Sequence, residues 1–425
     1  MEELTRPESP WKIRDVVPRH LTPALRRAAR TNPVVTLTGP RQSGKTTLVR
    51  SVFPDHRYLS LEAPDVRERA LADPRALLAA SDHLILDEIQ RAPELLSYLQ
   101  GLVDEDDRPG RFIVTGSQNL LLMETVSQTL AGRTAILRLF PFSVAELQGR
   151  SPLDPLVLDR PEAFPQEATS PRLRASGVWD TLATGFYPRV HDRAEPAFEW
   201  LGDYVRTYVE RDLREVLQVA DLRAFENFLR LAAARTASEL NLNGLANDAG
   251  ISQQTARRWL SALEIGHLAT TLPPHFRSYR KRLRKRPRLH FLDSGLVCYL
   301  LGIRDGATLE HHPLRGAVFE SFVVGELVKA FAAMRRDPPL FFWRDATGHE
   351  IDILIDAGER LIPVEVKSGR TVKPEAIDPL AWWTALPGNP NGGGVLVHGG
   401  DAAFTLKGFR VAPWFLSGGS QPGEP

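Results

Sequence analysis

The sequence predicts an α/β chain in three parts: a parallel sheet wound around a phosphate-binding loop, a helical and winged-helix-like middle, and a second α/β unit at the C-terminal end. Three observations predict it. The glycine-punctuated stretch Gly39 to Thr47 lies between an apolar run, Val34 to Thr38, and the start of a helix. From Pro33 to about Leu147 apolar runs alternate with amphipathic segments, as strands covered by helices do. After Leu289 a further series of alternating apolar segments begins.

A chain of 425 residues is too long for one core, and 43% hydrophobic with 25% charged residues is the composition of an ordinary globular protein. The formal charge of +1 supplies no global attraction to nucleic acid, so any such attraction has to be local. The single cysteine, Cys298, cannot close an internal disulfide, which fits a reducing compartment and excludes a Cys-based metal site. Met1-Glu2-Glu3-Leu4-Thr5 lacks a basic start, and no stretch of about 18 apolar residues occurs, so a cytoplasmic protein with no membrane partner is expected.

Along the chain, residues 1–30 read as an arm with a basic helix, and 31–150 as the nucleotide-binding unit with strands at Val34 to Thr38, Tyr58 to Leu61, His83 to Leu86, Arg111 to Thr115 and Ala135 to Leu139. Residues 151–195, rich in Pro, Ser and Asp, read as a linker or insertion, 196–290 as the helical middle, 291–416 as the C-terminal α/β unit, and 417–425 as a disordered tail.

In Gly39-Pro40-Arg41-Gln42-Ser43-Gly44-Lys45-Thr46-Thr47 the glycines let a loop close so that backbone N–H groups face a phosphate tail at the positive end of a helix dipole. Lys45 is expected at the β- and γ-phosphates and the Thr46 hydroxyl on Mg²⁺, making a nucleoside triphosphate and Mg²⁺ the expected ligands. Leu84-Ile85-Leu86-Asp87-Glu88 is an apolar strand ending in two carboxylates. Asp87 is the natural metal partner, and Glu88 is placed to orient or deprotonate water. Ser117, after the strand Phe112 to Thr115, is either a γ-phosphate contact or a turn serine. Arg133 is either a cation for transition-state charge, in its own subunit or in a self-associated neighbour, or a surface ion pair.

Taken together, Gly39 to Leu48, Asp87-Glu88-Ile89-Gln90, Thr115-Gly116-Ser117 and Leu130-Ala131-Gly132-Arg133 resemble the bacterial and archaeal AAA-type ATPases that carry a C-terminal domain of unknown function. The resemblance implies a P-loop NTPase module that binds ATP. Thr184-Gly185-Phe186-Tyr187-Pro188 departs from the double-glycine turn expected there.

Residues Leu242 to Leu260 read as a short helix, a turn at Gly250 and a second helix capped by Ser252. Ala256, Trp259, Leu260 and Leu263 fall on one face, leaving Gln253, Gln254, Arg257 and Arg258 outward, side chains able to meet bases and phosphates. Leu268 to Leu272 and Arg288 to Leu292 are expected to pair as a wing around a basic run from Arg277 to Arg288 that includes Lys281, Arg282, Lys285 and Arg286. DNA contact and packing against protein both remain open for this module.

In the C-terminal part, Val318, Phe322 and Leu327 form an apolar stripe on the helix that carries Glu320. Asp352 lies on one strand, with Ile351 and Ile353 expected to point the other way, and Glu365 and Lys367 share a face of the next strand. Acids converging from strands and a helix make a hard-oxygen site, with Asp352 and Glu365 as metal ligands and Lys367 stabilising phosphorane-like charge. The ordered quartet is similar to the PD-(D/E)XK, restriction-endonuclease-like superfamily, and implies that fold and phosphodiester cleavage. Two function classes stand: an ATPase coupled to a DNA-related role, or an ATP-dependent switch that recruits a protein partner through an inert C-terminal domain.

Overall fold

Val34–Thr38 (β1) is buried along its whole length because strands lie on both sides of it and helices on both faces. With Arg57–Ser60 (β2), Leu84–Asp87 (β3), Phe112–Thr115 (β4) and Thr134–Arg138 (β5) it forms an all-parallel sheet in the order β2-β3-β4-β1-β5. The computed structural model describes residues 17–117, 129–160, 177–192, 196–209, 221–275, 286–386, 389 and 393–415. Residues 1–16 of the expected arm, the expected tail, and Lys281, Arg282 and Lys285 lie outside the described residues.

Thr22–Ala29 (α1) and Lys45–Val52 (α2) cover one face of this sheet through Leu25, Ala28, Leu48 and Val49. Pro64–Ala72 (α3), Pro74–Ala79 (α4) and Leu95–Glu105 (α5) cover the other through Leu78, Leu95, Leu96 and Leu99. All five expected strands are present, each within a residue of its expected start.

Residues 151–195 are more than a linker. Beyond Val144–Leu147 (α6), which precedes them, Gly177–Thr184 (α7) and Pro188–Asp192 (α8) flank Phe186 and Tyr187, which are fully buried. The prolines, serines and aspartates that suggest a linker are spread from 148 to 176 and mask the helical pattern that follows. Ala197–Tyr204 (α9) and Leu222–Ala233 (α10) lead to Leu242–Asp248 (α11) and Gln253–Ile265 (α12). Ser252 Oγ accepts from the Thr255 N–H at 3.1 Å and starts α12. Ala256, Trp259, Leu260 and Leu263 face inward as expected, with Phe225 and Phe228 of α10 edge-on to Trp259.

Ser238–Glu239 (β6), Ala269–Leu272 (β7) and Arg288–Phe291 (β8) make an antiparallel sheet in the order β6-β8-β7. Ser294–Leu300 (α13) and Gly306–His311 (α14) pack on α7 rather than on the C-terminal sheet, so the unit expected to begin at residue 291 begins with the next helix.

That helix, Arg315–Ala333 (α15), is 19 residues and about 28 Å long. It is apolar nearly all round, with Val318 to Phe331 buried apart from Glu320, because it lies between the middle and C-terminal parts. Leu340–Arg344 (β9), Glu350–Asp356 (β10), Leu361–Lys367 (β11), Val395–His398 (β12), Phe404–Leu406 (β13) and Phe409–Pro413 (β14) form a mixed sheet in the order β13-β14-β12-β11-β10-β9. Val364, Val366 and Ile353 pack with α15, while Asp378–Thr384 (α16) covers the other face through Leu380 and Trp383. One core therefore runs without a break from Phe140 to Phe415, joining what reads as two units in sequence.

Candidate functional site

The phosphate cradle closes at the C-terminal end of β1. Gly39 has φ +146°, and a Cβ there would lie 2.1 Å from the Leu139 carbonyl oxygen, so the strand passes too close for any side chain. Gly44, at φ +92°, turns the chain into α2. The loop is braced from behind by Arg19, whose Nη1 donates to the Ser43 carbonyl at 2.8 Å, whose Nη2 donates to the Phe140 carbonyl, and whose Nε pairs with Glu146 Oε1 at 3.1 Å.

Lys45 is buried, and its ammonium donates to the Gly39 and Pro40 carbonyls at 3.0 and 2.9 Å. Burial lowers its pKa to about 8, with Glu88 and Asp87 opposing that shift. Ser43 Oγ is buried without a hydrogen-bond partner among the described residues. A cation satisfied only by its own loop, an orphan hydroxyl and inward-turned backbone fit a triphosphate tail.

Thr46 Oγ1 lies 3.1 Å from both carboxylate oxygens of Asp87. Asp87 also accepts from the Tyr58 hydroxyl at 2.7 Å and from Thr115 on the intervening strand β4. Glu88 follows in the left-handed region at φ +59°, which turns it out of the strand. Its carboxylate accepts from Gln90 and, at 3.4 Å, from Ser117 Oγ; Gln90 Nε2 also donates to Ser117 at 2.7 Å. Ser117 is thus assembled with Glu88 and is more than a turn residue. Gln90 and Thr115 stand in the motifs that carry the resemblance but have no role assigned there, and Tyr58 and Arg19 are assigned none either; the polar Thr115 ending a buried strand is the available signal for one of them.

Arg133 does not join this site. It precedes β5 at the sheet end opposite the cradle, since Val34 pairs with Thr134, and its guanidinium is held by Asp104 of α5, with Nη2 to Oδ2 at 2.9 Å. A role at the phosphates of its own subunit is excluded by that placement.

In the C-terminal sheet, Glu320 of α15, Asp352 of β10, and Glu365 and Lys367 of β11 come together. Lys367 Nζ is 2.5 Å from Glu365 Oε1, and Asp352 Oδ2 accepts from the Val366 N–H at 2.9 Å. A bulge between Ile351 and Leu354 puts Ile351 and Ile353 on opposite faces, contrary to the expected alternation, because the extra residue breaks the two-residue period. Burial raises the pKa values of Glu320, Asp352 and Glu365; the neighbouring Asp352 carboxylate adds to this at Glu320 and Glu365, while at Asp352 Lys367, the Val366 N–H and Arg288 oppose it.

The cluster also holds Arg288 of β8, whose Nη1 lies 3.4 Å from Glu320 and 3.9 Å from Asp352, and whose Nη2 pairs with Glu350. Burial works against this guanidinium, but the three carboxylates outweigh it and raise its pKa. Arg288, counted in sequence with the basic run open to DNA, is instead buried and paired with carboxylates. Among the described residues no three His, Cys, Asp or Glu side chains form a ready metal cage, Asp352 and Glu365 included.

Gln253, Gln254, Arg257 and Arg258 are exposed on one side of α12, and Arg286 is exposed before β8. Among the described residues no helix is long and apolar enough to cross a membrane.

Residues 31–148 match the AAA domain family, 176–307 a domain of unknown function (DUF8612), and 315–416 another (DUF4143). The uncharacterized protein Rv2008c of Mycobacterium tuberculosis and the uncharacterized protein Mb2031c of Mycobacterium bovis are each 34% identical over 353 residues, 82% of this chain and 73% of the relative. Among solved structures, the Walker-type ATPase paby2304 of Pyrococcus abyssi aligns over 67% of this chain and 96% of its own at 15% identity and a TM-score of 0.41. The ORC2 protein of Aeropyrum pernix in its ADP form aligns over 59% and 84% at 17% identity and a TM-score of 0.30. At 34% identity over 73% of their length, the chain belongs to the family of these mycobacterial proteins; its own residues 31–148 form an AAA-type, ATP-binding P-loop ATPase domain and its residues 315–416 match DUF4143.

Proposed function

We propose that the chain hydrolyses ATP with Mg²⁺ and couples the change to its middle and C-terminal parts. The observation that carries this reading is the convergence of Lys45, Thr46, Asp87, Glu88 and Ser117 at one end of β1, β3 and β4. Thr46 and Asp87 would hold the Mg²⁺, whose charge offsets that of the phosphates; one carboxylate and one hydroxyl suit an ion completed by substrate oxygens. Lys45 exchanges its two loop carbonyls for phosphate oxygens. Glu88, held by Gln90 and Ser117, orients the attacking water and accepts its proton. Tyr58 and Thr115 fix the Asp87 carboxylate from either side.

Glu88→Gln tests this directly. The variant should bind ATP as tightly as the natural protein while steady-state phosphate release drops at least ~100-fold, within the range of general-base contributions. Unchanged turnover would remove Glu88 from the role.

Downstream, the helix pair α11–α12 with the sheet β6-β8-β7 is read as a winged helix whose outer residues Gln253, Gln254, Arg257, Arg258 and Arg286 face DNA, joined by Lys281, Arg282 and Lys285 of the basic run. The quartet Glu320, Asp352, Glu365 and Lys367 is read as a restriction-endonuclease-like site. Plasmid nicking with Mn²⁺, with and without ATP, beside a Lys367→Ala control tests it. Equal nicking by both, or none by either, removes cleavage and leaves a switch that acts through a protein partner.

A further inference from the structure

Arg288 is carried by the three-stranded sheet of the middle part, yet its charged end lies inside the carboxylate cluster of the C-terminal part. Four carboxylates, Glu320, Glu350, Asp352 and Glu365, meet Arg288 and Lys367 there, and the half-exposed Arg344 reaches Glu350 at 3.8 Å. Arg288 is 6% exposed and lies over the Phe342 ring at 4.6 Å, so it is seated in a fitted slot rather than resting on a surface. Its strand is tied to the helix bearing Glu320 by His290 Nδ1 and Ser321 Oγ at 3.1 Å.

Glu365 is 3% exposed, and its Oε2 has no hydrogen-bond donor among the described residues. A buried carboxyl oxygen beside Asp352 with no other donor is met either by a proton shared between the two acids or by a cation. Lys367 satisfies only the other oxygen, Oε1. Arg288, by contrast, reaches Glu320, Glu350 and Asp352 and leaves Glu365 unserved.

We propose that Arg288 is a built-in plug: its guanidinium and a divalent cation compete for the same carboxylates, and the cluster takes a metal only when this side chain withdraws. The proposal rests on reading the quartet as a metal-dependent site. The competition is direct, because Arg288 engages Glu320 and Asp352, oxygens a cation would need. It is also electrostatic, because a dication seated between these acids and Glu365 would face the guanidinium at close range. Withdrawal exposes three carboxylates at once, which makes the plug and the cage mutually exclusive. The middle part thereby controls the C-terminal site without any residue of the ATP cradle touching it.

The test is Mn²⁺ binding to the full chain without nucleotide, followed by the electron paramagnetic resonance of free Mn²⁺. Arg288→Gln should bind one Mn²⁺ per chain more than the natural protein, or the same ion at least ~10-fold more tightly, a difference of about 1.4 kcal/mol. Adding Glu365→Gln should abolish the gain. Arg288→Lys keeps the charge that holds the acids together but lacks the fork that spans them; it guards against misfolding of the neutral variant and should bind Mn²⁺ with intermediate affinity. If the natural protein and both Arg288 variants bind this Mn²⁺ equally, the plug is overturned and the metal site stands. If none of them binds it, the metal-site reading falls, and the plug with it.

Discussion

Lys329 near the C-terminal end of α15 donates to the carbonyl of Phe142, 187 positions earlier in the chain, at 2.8 Å. The same ammonium pairs with Glu326 at 2.9 Å and lies 4.2 Å from the centre of the Phe186 ring, while Glu326 accepts from the Val144 N–H. This buried knot ties the segment leaving β5 to the helix that presents Glu320 to the acidic cluster. Arg19, which braces the phosphate loop, grips the same segment at Phe140 and Glu146. The loop and the cluster thus share one stiff connection.

Replacing Lys329 by Met should destabilise the chain by roughly 3 kcal/mol, because the Glu326 carboxylate is left buried without its cation. Urea unfolding of the variant gives the value. Adding Glu326→Gln should return part of the loss, and no recovery would show that the ammonium acts on Phe142 alone.

Gly39→Ala should weaken ATP binding about tenfold or more, since a Cβ 2.1 Å from the Leu139 carbonyl forces the cradle open. Titration calorimetry measures the change. Gly101→Ala in α5, where a Cβ meets nothing within 4 Å, serves as the control and should leave the affinity untouched.

His290 contributes stability that is lost as pH drops below about 6.5, against the buried acids Glu320 and Glu365, whose raised pKa values act in the opposite direction. Burial holds its imidazole neutral, with a pKa lowered to about 3, and the Arg288 charge adds to that. Between about 3 and 6.5 the unfolded chain binds the proton that the folded chain refuses. Each pH unit lost in that window therefore removes up to ~1.4 kcal/mol. Chemical denaturation at pH 7 and pH 5 should show a smaller difference for His290→Gln than for the natural protein.

The ATP cradle was legible from residues alone because its chemistry is local: a strand, a glycine turn, Lys45 and Thr46 lie within a dozen positions, and backbone geometry follows from them. Asp87 and Glu88 were legible for the same reason, as acids at the end of an apolar strand. The C-terminal quartet was legible as a pattern, since alternation along β11 puts Glu365 and Lys367 together. Arg288 was not, because nothing in a basic run tells which guanidinium turns inward, and its three partners lie 32, 62 and 64 positions downstream.

Sequence by itself determined the parallel sheet, the phosphate loop and the amphipathic face of α12, all products of short-range periodicity and turn chemistry. Tertiary structure alone decided that Arg133 stands at the far end of its sheet, that the supposed linker buries Phe186 and Tyr187, and that the middle and C-terminal parts share one core. Each of these depends on which distant surfaces meet, and that is settled by packing and by the need to pair buried charge, which no local window of residues contains.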